Sequence, residues 1–232
     1  MSNIFDITPT EWRNFRDDIL AKIEQAGIEV DYYRAYACAC SHSSLRQPRF
    51  SCKTCDGMGY SYDEEPETIR VHMVSRKPKK EFTITGQYDI GTAWATFPSG
   101  FVPSEFDKIF VGSELVTINN TILQKSEEEP EGHSLERVRF RSIYKIERVW
   151  DLDREFFEGT DFEVTNKRYI TWKQGGHSPA FGKNYTLRYQ VNPEYLVMGY
   201  EPISRLPYDV QFPYRAELKR LDRIDLVDDR VK

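Results

Sequence analysis

Four cysteines are the residues of this sequence best suited to chemistry. They are the only cysteines among 232 residues, and all of them fall between positions 38 and 55. The second pair lies in the segment CKTCDGMG (residues 52–59), which has the C-x-x-C-x-G-x-G pattern of a zinc knuckle. Its glycines let the backbone curl around an ion, so that amide groups approach the sulfur atoms. The spacing predicts one structural Zn²⁺ with four thiolate ligands, which are Cys38, Cys40, Cys52 and Cys55.

Other interpretations of the cysteines stay open at the level of sequence. Two disulfide bonds would use all four, but the chain begins without the basic start and apolar run of a secretory signal, so a reducing compartment is expected. Free thiols without a shared role are a further interpretation. His42, two residues after Cys40, could replace one cysteine and give a ligand set of three cysteines and one histidine.

The composition indicates a protein with a real core and a moderately acidic surface. Hydrophobic residues make up 39% of the chain and aromatic residues 14%, and 32 basic residues against 37 acidic ones give a net charge of −5. This balance does not favour binding of nucleic-acid phosphates by the whole surface. No apolar run approaches the roughly 20 residues that span a bilayer, so no membrane partner is expected.

Basic residues near the cysteines leave a zinc-dependent nucleic-acid-binding module as an alternative function. Arg46, Arg49 and Lys53 lie close to the metal ligands in sequence, and residues 75–80 read SRKPKK. A solvated turn is the simpler interpretation of that basic segment. The alternative requires these cations to converge on one face of the folded chain.

Catalytic motifs are not found. The sequence lacks the phosphate-binding loop, the dinucleotide-binding glycine pattern, the zinc-protease motif and the nucleophile elbow. The histidines are scattered without the i, i+4 spacing of a helical metal site, so the chain is not expected to be an enzyme. They are His42, His72, His133 and His177.

Hydrophobic periodicity predicts a mainly β fold, a β-barrel or sandwich-like meander, with one N-terminal α-helix and a zinc-knuckle loop. Residues 8–27 combine a capping box, an early proline and a final glycine, as a helix requires. Strand-like alternation follows for most of the remaining chain. The predicted organisation is a helix and zinc-binding loop in residues 1–66, a β-rich region in residues 67–202 and an extended arm in residues 203–232.

Two details of the β-rich region are also predicted. Residues 112–113 and 119–120 have the composition of short turns, so three short strands around them should form tight hairpins. Residues 137–150 read as one long strand, with Tyr144 and Ile146 on the apolar face and arginines on the other. The arginine row could meet nucleic acid or an acidic partner, although a solvated sheet face is the commoner outcome.

The order of these features resembles that of the neck proteins of tailed bacteriophages. A short helix, a cysteine-rich insertion and a β meander follow one another, and residues 98–123 place the segment FDKI (residues 106–109) before the predicted hairpins. Later segments add to the resemblance, namely residues 161–164, 169–172, 179–182, 185–189 and 193–195. The resemblance covers the later part of the chain and offers no catalytic residues.

The resemblance implies a structural virion protein. Such a protein would be assembled in the host cytoplasm as a homo-oligomeric ring that joins the portal to the tail and lines or closes the channel for genomic DNA. Its partners would be portal or adaptor proteins and tail proteins, and its zinc would be structural. A baseplate or other tail structural protein shares the composition and the fold, so that placement is an alternative.

Overall fold

A computed structural model shows a mainly β protein. It describes residues 8–42, 52, 54–55, 58–75, 91–126, 135–138, 143–167, 169–201 and 212–221. Within these ranges there is a single α-helix and a closed six-stranded barrel, so the predicted fold class is confirmed. In the same part of the chain, no helix has the length and apolar character that crossing a bilayer requires.

The helix α1 (Pro9–Ala26) begins and ends where the sequence predicts. The hydroxyl of Thr8 accepts a hydrogen bond from the N–H of Glu11 at 3.3 Å, and the Glu11 carboxylate accepts one from the N–H of Thr8 at 2.7 Å. This reciprocal pair satisfies two backbone groups that the helix itself cannot. Gly27 follows the last turn, where a Cβ atom would lie 2.2 Å from the carbonyl oxygen of Ile23. The close approach therefore requires glycine.

Fifteen strands account for most of the remaining regular structure in the residues that the structure describes. In chain order they are β1 (Ile28–Tyr33), β2 (Ala35–Ala37), β3 (Tyr60–Tyr62), β4 (Glu67–Ser75), β5 (Thr92–Thr96), β6 (Lys108–Phe110), β7 (Val116–Gln124), β8 (Leu135–Arg137), β9 (Ile143–Trp150), β10 (Glu155–Phe156), β11 (Phe162–Thr165), β12 (Tyr169–Trp172), β13 (Asn184–Val191), β14 (Glu194–Glu201) and β15 (Arg215–Arg220). They divide between two compact units, which are residues 1–111 with 194–232, and residues 112–193.

The first unit is built on the closed barrel. Its strands follow the order β1-β4-β5-β15-β14-β6, and β6 pairs again with β1, so the sheet has no open edge. Every pair is antiparallel. Alternate side chains fill the interior, among them the fully buried Val71, Ala95, Ile109 and Leu218.

The second unit has two sheets that share one core. The first has the strand order β10-β9-β13-β7 and the second the order β11-β12-β8. Leu187 and Tyr189 of β13 and Ile170 and Trp172 of β12 are all buried in the common cluster. The strand-like alternation that the sequence shows after the helix is confirmed here by β11 to β13.

The predicted extended arm is wrong for residues 215–220. These residues form β15, which lies between β14 and β5 in the barrel and buries Ala216 and Leu218. The strand has only two apolar positions among charged residues, so its sequence does not distinguish a barrel strand from a polar arm. Residues 203–211 and 222–232 lie outside the described residues, and the unit boundaries near residues 111 and 193 differ from those predicted at 66 and 202.

The two predicted tight hairpins are also wrong. The strand β6, before residues 112–113, pairs with β1 and β14 and not with β7. Residues 119–120 lie inside β7, which pairs with β13 along its length. Asparagine pairs favour turns locally, but here the pairing with β13 keeps the chain extended.

The strand β9 differs from the predicted long strand in its buried face. Ile143, Ile146 and Val149 are buried at a spacing of three residues, whereas Tyr144 is 65% exposed. The register with β13 shifts twice, so that Tyr144 and Glu147 are extra residues without a partner in β13. Each bulge inserts one residue and therefore reverses the alternation of faces.

Candidate metal centre

The cysteines lie at the tip of a two-stranded ribbon formed by β2 and β3. This ribbon continues the antiparallel pair β1–β4 beyond the barrel, with Ala35 opposite Tyr62 and Ala37 opposite Tyr60. The N–H of Cys38 donates to the carbonyl of Gly59 at 2.8 Å, which adds one more rung at the tip. Gly59 has a φ of +82°, a left-handed conformation that favours glycine. The ribbon therefore brings the two halves of the cysteine segment together.

The structure brings all four predicted ligands into one cluster. The sulfur atoms of Cys38 and Cys52 are 3.8 Å apart, those of Cys40 and Cys55 are 3.4 Å apart, and all four lie within 4.8 Å of one another. Cys38 and Cys55 are buried, whereas Cys40 and Cys52 are half-buried. Four thiols this close could hold a metal ion. The cysteines are free thiols here, which does not match the disulfide interpretation.

Local backbone geometry prepares the second pair of cysteines for metal binding. The backbone N–H of Cys55, and after it that of Thr54, lowers the pKa of the Cys52 thiol to about 6. A thiol with this pKa is largely a thiolate at neutral pH, and the thiolate is the form that binds metals. The N–H of Met58 donates to the carbonyl of Cys55 at 3.0 Å and closes the turn. These contacts lie in the segment that the sequence predicts as a zinc knuckle, of which residues 53, 56 and 57 lie outside the described residues.

Several residues of the alternative interpretations lie outside the described part of the chain. This is true of Arg46, Arg49, Lys53 and residues 76–80, whose convergence on one face would have favoured nucleic-acid binding. The backbone of His42 ends a 3-10 helix (Ala39–His42), but its side chain lies outside the description. The choice between four cysteines and three cysteines with His42 therefore stays a prediction.

The histidines considered for catalysis do not come together among the described residues. His177 is exposed, and its Nδ1 lies 3.4 Å from a carboxylate oxygen of the buried Asp161. That carboxylate also accepts the backbone N–H groups of Phe157 and His177, each at 2.9 Å. Asp161 thereby holds two loops in place, which is a structural role. His133 lies outside the described residues.

The base of the ribbon contains a polar group that the sequence did not reveal. The carboxylate of Asp107, just before β6, is 1% exposed. It accepts hydrogen bonds from the hydroxyl of Tyr32, from the N–H of Ala35 at 2.7 Å and from the N–H of Ser104 at 2.9 Å. Burial, reinforced by this carboxylate, raises the pKa of Tyr32 above its usual value. No sequence spacing links these residues, because their proximity depends on the pairing of β6 with β1.

The chain was compared with protein-family models and with curated proteins, and neither comparison gave a match.

Proposed function

We propose that this chain is a structural protein of the neck of a tailed bacteriophage, which forms an oligomeric ring between portal and tail and carries a structural zinc ion. The observation that best supports assembly is the uncharged edge strand β7, which among the described strands pairs only with β13. The metal cluster supports a rigid surface element, because it stabilises a ribbon that has little core of its own. Binding to neighbouring proteins would be the activity.

Zinc suits a site of four thiolates and is the ion of this proposal. With Zn–S bonds of about 2.3 Å, a regular tetrahedron places its sulfur atoms about 3.8 Å apart. The Cys38–Cys52 and Cys40–Cys55 separations of 3.8 and 3.4 Å are close to this value, and all sulfur atoms lie within 4.8 Å of one another. Four protein ligands leave no position for water or substrate, which suits a structural role. The ion would fix the segment between Cys38 and Gly59.

The strand β7 is the edge that supports assembly. It lies at the end of its four-stranded sheet and pairs only with β13 among the described strands. Its nine residues, VTINNTILQ, include no charge, proline or glycine. Ile122 is 65% exposed on this strand. A long edge strand without such protection is a template for pairing with a strand of another chain.

Other open edges in the described structure are protected, and the part of β9 that β10 does not cover carries Lys145, Glu147 and Arg148. The strands β2, β3 and β8 have three residues each and β10 has two. The edge strand β11 has four residues and carries Glu163, which forms an ion pair with Lys173. Short length and charge both discourage edge pairing, and β7 has neither of these protections. Since each chain carries a net charge of −5, an uncharged edge is also where two copies can approach with least repulsion.

The first test is the mass of the purified chain in solution by light scattering. Wild type should form a discrete oligomer, and Ile122→Lys should weaken assembly about tenfold or more, because it places a charge on the edge. Tyr144→Lys is the matched control, because Tyr144 is equally exposed in the same sheet but lies in a stretch of β9 that already carries Lys145, Glu147 and Arg148. It should assemble like wild type. A wild-type chain that stays monomeric at high concentration contradicts the ring.

A second test separates neck from tail. The chain is mixed with purified portal rings and, separately, with purified baseplate complexes, and binding is followed by sedimentation. The proposal expects co-sedimentation with portal rings. Binding to baseplates alone would move the protein to the distal end of the tail, and steeply salt-dependent binding to DNA would favour the nucleic-acid module.

A further inference from the structure

Three consecutive side chains at the start of strand β6 contact the ribbon. They are Phe106, Asp107 and Lys108, and we call these three residues the clasp. We propose that the clasp couples metal binding at the ribbon tip to the conformation of the barrel loop formed by residues 101–107. The inference rests on the proposed metal ion and does not depend on the proposed virion role. In this proposal the cysteine cluster cross-links the ribbon and also controls the conformation of the loop.

The first clasp residue stacks on the ribbon. The rings of Phe106 and Tyr60 have their centroids 4.4 Å apart and their planes at 17°. Tyr60 directly follows Gly59, whose carbonyl accepts the N–H of the metal-ligand candidate Cys38. The aromatic stack therefore begins at the residue next to the rung between Cys38 and Gly59. A change at the cysteines has a short path to Phe106.

Phe106 is held in an uncommon backbone conformation. Its φ is +68°, a left-handed value that bulky side chains rarely adopt because it costs free energy. Its N–H donates to the carbonyl of Val197 in β14 at 2.7 Å, while its ring lies against Tyr60. Such a conformation persists where surrounding contacts determine it. Loss of the stack removes one of those contacts and favours relaxation of the loop.

The second clasp residue ties the other ribbon strand to the same loop. Asp107 accepts the N–H of Ala35, the first residue of β2, and the N–H of Ser104 in the loop. Arg34 lies beside it, donates to the carbonyl of Val102 at 2.7 Å and stacks over the ring of Phe101. Both strands of the ribbon thus contact residues 101–107.

The third clasp residue braces the end of the ribbon strand β3. The ammonium group of Lys108 lies 4.9 Å from the ring centroid of Tyr62 and 4.2 Å from that of Tyr33. The same group is 3.7 Å from a carboxylate oxygen of Glu194 in β14, and both side chains are buried. The ribbon therefore contacts the buried Lys108–Glu194 ion pair of the barrel through the ring of Tyr62.

In this proposal the loop formed by residues 101–107 has two states, one with metal bound at the ribbon tip and one without. With metal bound, the ribbon is rigid, Tyr60 supports Phe106, and the loop stays closed over Asp107. Without metal, the ribbon tip loses its cross-link, the stack weakens, and the loop opens locally while the barrel strands remain paired. Because coupling is reciprocal, contacts that close the loop also strengthen metal binding. The loop exposes Val102, which is 44% accessible, so the metal would control how an apolar side chain is presented.

Hydrogen exchange of the full chain tests the coupling, with zinc bound and after zinc is removed by a chelator. The amides of Ala35, Ser104 and Phe106 should exchange at least about fivefold faster after zinc removal. The amide of Leu187, in the other unit, should not change. An unchanged rate at the three reporter amides overturns the proposal, as does an equal change at Leu187, which would mean general unfolding.

Variants of the stack make the test specific. Tyr60→Ala should abolish most of the response of Ser104 and Phe106, whereas Tyr60→Phe, which keeps the ring, should retain it. Tyr36→Ala is the matched control in the ribbon and should keep the full response. Tyr36 is exposed, and its hydroxyl donates to Asp63 and not to the clasp. If Tyr60→Ala does not fold, Phe106→Gly breaks the stack from the barrel side and also accepts the positive φ. A full response in the variant without the stack overturns the proposal.

Discussion

The carboxylate of Asp107 accepts a hydrogen bond from the backbone N–H of Ala35 at 2.7 Å, although the two residues are 72 positions apart in the chain. Ala35 begins the ribbon that carries the cysteines, and Asp107 leads into a barrel strand. The cysteine cluster is therefore fixed to the barrel by a buried charge and not only by chain connectivity. Charge-assisted hydrogen bonds of this kind are stronger than neutral ones.

Removing the charge of Asp107 should loosen the base of the ribbon. Asp107→Asn keeps the size of the side chain but cannot accept from Ala35, Ser104 and Tyr32 together. We expect the barrel to lose about 1–3 kcal/mol of stability, because buried donors lose their acceptor. Urea unfolding followed by tryptophan fluorescence, to which Trp94 of the barrel contributes, measures this loss. An unchanged midpoint would show that the carboxylate contributes little.

Loss of two metal ligands should affect one part of the chain only. Cys52→Ser combined with Cys55→Ser should abolish stoichiometric zinc in the purified protein and speed hydrogen exchange across residues 38–59. Strands β9 and β13 should keep their protection, because they belong to the other unit. Metal analysis of wild type is the reference. Absence of zinc from wild type purified without chelator would contradict the assignment of the ion.

The bulged register of β9 can be tested with neighbouring residues. Ile143→Ser should cost about 2–4 kcal/mol, because it removes a buried apolar side chain and leaves a polar group in the core. Tyr144→Ser should change stability by less than about 0.5 kcal/mol, since the side chain is exposed. Urea unfolding of both variants gives the comparison. The opposite order would restore the sequence-based prediction that Tyr144 lies on the apolar face.

Asp161 should make the stability of the second unit depend on pH. Burial raises the pKa of this carboxyl, but hydrogen bonds from the N–H groups of Phe157 and His177 outweigh it and hold the pKa below its usual value. A lowered folded-state pKa contributes stability above the unfolded pKa of about 3.9, and this contribution is lost as the pH falls through the folded value.

The matching variant is Asp161→Asn, which cannot ionise. Wild type should be more stable than the variant at pH 7, and the difference should shrink as the pH falls below about 4. Urea unfolding between pH 7 and pH 3 measures both. If the stability difference between wild type and variant stays constant over this range, Asp161 stabilises the unit through its shape and not through its charge.

The sequence by itself determined the local features of this protein. The capping pattern around Thr8 and Glu11 gave the start of the helix, because capping depends on residues within one turn. The cysteine spacing with its glycines gave the members of the cluster, because a knuckle is also a local structure. The alternation of apolar and polar residues in β11 to β13 predicted these strands, since successive side chains of any strand point to opposite faces.

Tertiary structure decided which strands pair. The segment Arg215–Arg220 has few apolar residues, yet it pairs with β5 and β14 and completes the barrel. Asn119 lies in a strand because β13 pairs across it. The buried face of β9 follows from two bulges in its pairing with β13, which no pattern in β9 itself encodes. Long-range hydrogen bonding thus overrides local preference for turns and for regular alternation.

Tertiary structure alone also placed the clasp. Phe106, Asp107 and Lys108 read as an ordinary strand entrance, and their partners Tyr60, Ala35 and Tyr62 are far away in sequence. They meet because β6 pairs with β1 and the ribbon extends the pair β1–β4. Sequence spacing identifies ligands that share a loop, but contacts between a loop and a distant strand exist only once the barrel has closed. The cysteine cluster was therefore predictable, and its connection to the barrel was not.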